Sequence, residues 1–279
     1  MKVLFIGTGV MGKPMALHLA KNGVDVTVYN RTYEKALELK PNVKVEKDLL
    51  EAIKDKDLIF SIVGYPKDVK EVYETIIPLV KKGTILVDMT TSSPTLAKEL
   101  FNLANKHQVH LLDAPVTGGD LGAINATLSI MVGGNEEIFE KVLPYFNMMG
   151  KTITYMGLPG SGQHMKLANQ IVIAGNLMGV AEGITYAKDK QLDLNKFLDV
   201  IIGGSANSWQ ASVNGKKMIV NDFKPGFYIK HFLKDLRLAL EEFKLTQLPI
   251  LETTEKILTS LTENQNEGTQ AVIKYYLNN

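Results

Sequence analysis

One stretch constrains the fold of this chain more than any other: Lys2-Val3-Leu4-Phe5-Ile6-Gly7-Thr8-Gly9-Val10-Met11-Gly12. Residues 3–6 are a short apolar run with branched side chains, the pattern of a strand buried on both faces. Gly7, Gly9 and Gly12 follow in the spacing G-x-G-x-x-G, and Met15, Leu17, Leu19 and Ala20 then supply the apolar side of a helix. Gly7 permits a tight turn, Gly9 lets the backbone approach a pyrophosphate, and Gly12 lets helix and strand pack closely. The helix N-terminus offers unpaired N–H groups to the anion. A glycine-rich loop alone says little. Flanked by this strand and this helix, the segment from Gly7, Thr8 and Gly9 through Val10, Met11 and Gly12 predicts dinucleotide binding.

A second strand is predicted over 24–29, ending at Asn30-Arg31-Thr32. A site that prefers NAD places an acidic residue near this strand end, to hold the adenine ribose 2′-hydroxyl. No acid stands there. Asn30, Arg31 and Thr32 offer a guanidinium and two hydrogen-bonding side chains instead, which suit a 2′-phosphate. The reading is NADP(H) over NAD(H), with an ordinary surface arginine as the alternative.

Helices and strands then alternate. Strands are predicted at 43–45, 58–63, 84–88, 109–113, 128–132 and 152–156, and helices at 33–39, 48–53, 68–75, from Pro94, and at 136–148. Strand after helix after strand gives a doubly wound parallel sheet, whose ligands gather outside the carboxyl ends of the strands. That places Val63, Gly64 and Thr91 beside the cofactor. Thr117, Gly118 and Gly119 form a loop whose backbone N–H groups could converge on a carboxylate, although the spacing leaves a simple turn equally open.

At Gly157-Leu-Pro-Gly-Ser-Gly162 the pattern changes to long helical periodicities. A helix is predicted over 163–190, with an apolar stripe at Leu167, Ile171, Ala174, Met178 and Ala181. Lys166, Asn169 and Gln170 stand at i, i+3 and i+4 and share one face, so they can converge on one small ligand. A solvated lysine is the alternative. The rest is read as helical, broken by a turn that ends at Trp209, the chain's single tryptophan.

With 31 basic and 30 acidic residues the chain has no electrostatic footprint for nucleic acid or an anionic membrane. Zero cysteines exclude disulfides, a thiolate nucleophile and cysteine-ligated zinc. The five histidines show no metal-ligand spacing, so no metal site is expected. No targeting segment is visible, and the longest apolar stretch, near 171–181, contains Asn176 and is read as too short for a membrane span. A soluble, cytoplasmic protein is expected.

Four ordered motifs together resemble the β-hydroxyacid dehydrogenase family, which includes 3-hydroxyisobutyrate dehydrogenase, tartronate semialdehyde reductase and glyoxylate/succinic semialdehyde reductases. They are Gly7-x-Gly9-x-Met11-Gly12-x-x-Met15, Asp113-Ala-Pro-Val-Thr-Gly-Gly119, Gly160-x-Gly162-x-x-x-Lys166-x-x-Asn169-Gln170, and Lys234-Asp235-Leu236. The resemblance implies an α/β chain: a doubly wound Rossmann domain over 1–160 that binds NADP, then an all-α substrate and oligomerisation domain over 161–279. It implies that Lys166 is the catalytic acid/base and that Thr117, Gly118 and Gly119 hold a substrate carboxylate. Thr91 and Lys234 would lie near the nicotinamide, Asn169 and Gln170 would orient Lys166 or the substrate, and Trp209 would shape the pocket. Thr117 replaces the family's usual Ser, and Gln170 its usual Asn. The implied activity is reversible, NADP(H)-dependent reduction of a small aldehyde acid by a homodimer or homotetramer. An imine reductase on the same fold usually lacks the lysine, and a catalytically silent nucleotide-binding module would be expected to lose the lysine or the carboxylate loop. This chain keeps both.

Overall fold

Strand β1 (Lys2–Ile6) lies between two parallel neighbours, β2 (Asp25–Tyr29) and β4 (Leu58–Ser61), with β3 (Lys44–Glu46) beyond β2. β5 (Ile85–Asp88) and β6 (His110–Asp113) continue the parallel order on the other side. Side chains alternate faces along a strand, so β1 feeds two cores. Val3 and Phe5 join Met15, Leu19, Phe60 and Phe146 on one face. Leu4 and Ile6 join Ile59, Tyr73, Leu86 and Leu111 on the other. Burial on both faces is why these strands read as continuous apolar runs. The computed structural model describes residues 1–277, and the chain divides into two compact units, Met1–Lys166 and Leu167–Asn279.

The helices of the first unit are α1 (Gly12–Lys21), α2 (Tyr33–Leu37), α3 (Leu49–Ala52), α4 (Pro66–Ile76), α5 (Pro94–Lys106), α6 (Gly119–Ile124) and α7 (Glu136–Phe146). Capping fixes several starts, through Asp48 at α3, Ser93 with Pro94 at α5, and Asn135 at α7.

The alternating pattern predicts a parallel sheet, and the sheet is parallel except at β7 and β8. β7 (Val116–Thr117) and β6 both pair antiparallel with β8 (Leu128–Gly133), and β9 (Gly150–Gly157) runs parallel to β8. The short α6 stands between β7 and β8, so Gly119 of the expected Thr117–Gly119 loop begins a helix. The reversal follows from the short β7–α6–β8 connection, which returns the chain beside β7 without a full crossover.

Helix α8 (Ser161–Asp189) begins in the first unit and runs into the second. The second unit adds α9 (Leu194–Gly203), a π-helical turn (Gln210–Gly215), α10 (Lys216–Ile219), α11 (Ile229–Glu242), α12 (Pro249–Ser260) and α13 (Ile273–Leu277). Its core gathers Ala174, Leu177, Ala181 and Ile184 of α8 against Phe232, Leu236, Leu251, Leu258 and Val272. By length and composition α8 does reach the measure of a membrane span, contrary to the sequence reading, which weighed only its most apolar stretch. Of the apolar window that reaches it, 44 % is buried in the packed core.

Candidate active site

The glycine loop shows a steric reason at two of its three glycines. A Cβ on Gly7 would strike the carbonyl of Ile62, and one on Gly12 the carbonyl of Gly7, while Gly7 also holds a φ of +95°. A Cβ on Gly9 would meet nothing within 4 Å, so Gly9 faces open space. Met11 begins α1 without a side-chain cap, and no acid occupies the first turn. An uncapped helix N-terminus beside an open glycine face fits a pyrophosphate. Thr8 contributes a buried hydroxyl with no hydrogen-bond partner. Asn30 shapes the loop: its Oδ1 accepts from the Thr8 amide at 3.0 Å and its Nδ2 donates to the Thr32 carbonyl at 2.8 Å. Its side chain thus braces the turn. Arg31 is 84 % exposed in its side chain and lies 3.3 Å from Asp68 Oδ1. Asp68 Oδ2 also accepts from the Tyr65 amide, tying the residues just after Val63 and Gly64 to the start of α4.

Two carboxylates end adjacent strands, with Asp88 and Asp113 in register. Asp88 is buried and accepts from Ser61 Oγ and the Thr90 amide; the Thr90 hydroxyl hydrogen-bonds it too and accepts from the Val63 amide. Burial, with Asp113 as a lesser cause, pushes the Asp88 carboxyl up to about 7. Burial also raises Asp113, to about 6, against the pull of the backbone N–H groups that it accepts.

Those N–H groups belong to the start of α8. Gly160 donates to Asp113 Oδ1 at 2.8 Å and Gln163 to Oδ2 at 2.9 Å, with Gly162 contributing a third. A carboxylate from β6 therefore supplies what a cap would supply. Close approach requires the glycines, since a Cβ on Gly162 would collide with the carbonyls of Met131 and Asp113. The Gln163 side chain completes the join. Its Nε2 donates to the Thr90 carbonyl at 2.8 Å and its Oε1 accepts from the Ser92 amide at 2.9 Å, on either side of Thr91.

Lys166 follows one turn later, 6 % exposed and engaged by its neighbours. Thr117 is partly buried, and Gly118 and Gly119 hold φ values of +128° and +65°, backbone that a side chain would strain. In the second unit, Asn169 Nδ2 donates to Gln170 Oε1 at 2.9 Å and Gln170 Nε2 to Asp235 Oδ2 at 2.7 Å. Lys234 Nζ lies 2.9 Å from Asp235 Oδ1. Gln170 and Lys234 thus meet on one buried carboxylate, and Asn169 joins them through Gln170. Trp209 is half-exposed at the start of the π-helical turn. Among the described residues no cluster of His, Asp or Glu could hold a metal ion. Sequence reasoning gave no role to Asp68, Asp88 or Gln163, whose long-range side-chain partners lie 27 to 73 residues away and which stand in no recognisable spacing.

Residues 2–157 match the NAD binding domain of 6-phosphogluconate dehydrogenase, and residues 160–276 the NAD-binding region of NADP-dependent 3-hydroxyisobutyrate dehydrogenase. The chain belongs to the β-hydroxyacid dehydrogenase family. It is 45 % identical to the uncharacterized oxidoreductase YkwC of Bacillus subtilis over 98 % of both chains. It is 38 % identical to 2-hydroxy-3-oxopropionate reductase of Escherichia coli, over 95 % of this chain and 92 % of that one. Among solved structures, 3-hydroxyisobutyrate dehydrogenase of Mycobacterium tuberculosis with L-serine is similar, with a TM-score of 0.89 and 29 % identity over 98 % and 97 % of the two chains. As a β-hydroxyacid dehydrogenase the protein is an NAD(P)-dependent oxidoreductase acting on CH–OH, with an N-terminal Rossmann domain and a helical C-terminal domain.

Proposed function

We propose that the enzyme reversibly reduces a small aldehyde acid, of the semialdehyde or glyoxylate class, to its hydroxyacid, with NADPH preferred over NADH. The carrying observation is Lys166. It is a nearly buried lysine on the second turn of a helix whose start is tied to the strand ends through Asp113 and Gln163. Bound NADPH supplies a hydride to the carbonyl carbon. Lys166 Nζ donates the proton that the carbonyl oxygen takes up, and in the reverse direction accepts it from the hydroxyl. The Thr117 hydroxyl and the amides of Gly118 and Gly119 hold the substrate carboxylate, while Asn169 and Gln170 orient the reacting groups. Trp209 bounds the substrate side, and Thr91 and Lys234 serve the nicotinamide. Residues 1–160 form the NADP-binding domain and 161–279 the substrate and oligomerisation domain.

Support for NADPH comes from the absence of an acid at the end of β2 and from Arg31, which an incoming 2′-phosphate could take over from Asp68 at little cost because the pair is exposed. We also propose a homodimer or homotetramer working in the cytoplasm. Val172 on α8 and Ile250 on α12 are exposed apolar residues that a second copy would cover. Light scattering that returned only the single-chain mass at micromolar protein would reject the oligomer.

The experiment is a turnover screen with NADPH over glyoxylate, succinic semialdehyde, tartronate semialdehyde and methylmalonate semialdehyde. At least one should be reduced, and the matching aldehyde without its carboxylate should not. Reduction of cyclic imines but none of these acids would overturn the reading.

A further inference from the structure

The side-chain amide of Gln163 is fixed in polarity by partners that cannot exchange roles. Thr90 offers a carbonyl, which only accepts, and Ser92 a backbone N–H, which only donates. The amide therefore pairs with the segment around Thr91 as a neighbouring strand would, a peptide group standing in for a peptide group. Gln163 has no exposed surface, and its own backbone N–H donates to Asp113. One residue thus holds both the start of α8 and the loop after β5. Lys166 stands three residues on, about 4.5 Å along the axis.

We propose that Gln163 is a positioning residue that sets the distance between Lys166 and Thr91, and so between the proton donor and the edge on which the nicotinamide rests. This rests on the assignment of Lys166 to proton transfer. Gln163 touches neither substrate nor cofactor; it acts through Lys166 and the 90–92 backbone. Misplacement by about 1 Å costs roughly a hundredfold in rate when reacting atoms must meet in one geometry. Loss of the bridge therefore lowers kcat while leaving KM for the aldehyde acid and the affinity for NADPH close to those of the parent.

Gln163→Glu tests this with a built-in switch. The protonated carboxyl repeats the amide's pattern, its hydroxyl donating to the Thr90 carbonyl and its other oxygen accepting from Ser92. The carboxylate has no donor and sets an oxygen against the Thr90 carbonyl. The charged and titratable groups around it are Asp113 on β6, Asp88 through Thr90 on β5, Lys98 of α5 near Gly160, and His164 and Lys166 on α8 itself. All of these are present in the parent, so the informative quantity is the ratio of variant to parent kcat at each pH.

The experiment measures kcat, KM, NADPH Kd and melting temperature from pH 5 to 8 for the parent, Gln163→Glu, Gln163→Leu and Lys166→Met. Gln163→Glu should recover towards parental kcat as pH falls and drop ten- to a hundredfold, as a rough magnitude, as the carboxyl ionises. Gln163→Leu should be low at every pH. A Gln163→Glu variant whose kcat ratio is flat with pH and within twofold of the parent overturns the proposal. A loss that merely follows the fraction of folded protein does the same, since a structural role alone would produce it, and this covers a Gln163→Leu protein that fails to fold. Full turnover by Lys166→Met overturns the lysine assignment instead, which keeps the two failures distinct.

Discussion

Raising the pH from 6.5 to 8 should destabilise this protein relative to its Asp88→Asn variant. Asp88 is buried, and its carboxyl is raised from an ordinary 3.8 to about 7. A carboxyl whose value is higher folded than unfolded keeps protons that the unfolded chain has released. Its stabilisation is complete below about 4 and is lost as pH climbs through about 7. At about 1.36 kcal/mol per pH unit the full effect is on the order of 4 kcal/mol, an upper bound because a polar site relaxes around its charge; most of it is lost between about pH 4 and 7, and about 0.8 kcal/mol between pH 6.5 and 8. Asp113 acts with the same sign up to about 6. His110 and His231 act with the opposite sign, because burial lowers both and the unfolded chain protonates first. Their contribution still grows above about 6.5, the unfolded value, where half of the unfolded chains remain protonated at each histidine. The parent and Asp88→Asn share both histidines, so the difference between the two isolates Asp88. Urea denaturation at half-unit intervals from pH 6.5 to 8 should show the parent losing up to about 0.8 kcal/mol relative to Asp88→Asn. A difference between parent and variant that stays level, or moves the other way, over this interval refutes the reasoning.

Arg31→Asp should reverse the cofactor preference. A charge-assisted pair with the 2′-phosphate contributes about 1.5–3 kcal/mol, or roughly ten- to a hundredfold in affinity, and equal kcat/KM for NADPH and NADH in the parent would refute this. Gly162→Ala should cost about 1–3 kcal/mol and lower kcat, because its methyl group has no room between the carbonyls of Met131 and Asp113; melting temperature and turnover check both.

Much of this architecture was legible in the chain because its signals are local. The β1–glycine–α1 unit and the alternating strands declare themselves within a dozen residues, and Ser93-Pro94 announces α5. The antiparallel turn at β7 and β8 was not legible, since β7 is two residues long and two adjacent glycines look alike at a turn and at a helix start. The seat of α8 was also hidden. Asp113 reads as the end of a strand and Gln163 as an unremarkable helix residue until residues 50 and 73 positions apart are brought together. The loop bonds of Asn30, which reach back to Thr8 and on to Thr32, were likewise not legible.

The central claim is that Lys166 carries the proton, and its most direct test is Lys166→Met, measured for kcat with a reduced aldehyde acid alongside NADPH Kd and melting temperature. Met approximates the lysine stem and keeps helix propensity, so folding and cofactor affinity should hardly change. General acid catalysis is worth about 10²–10⁴-fold, so kcat should fall by that order. A folded Lys166→Met enzyme that turns over near the parental rate, under conditions where chemistry limits, would contradict the account.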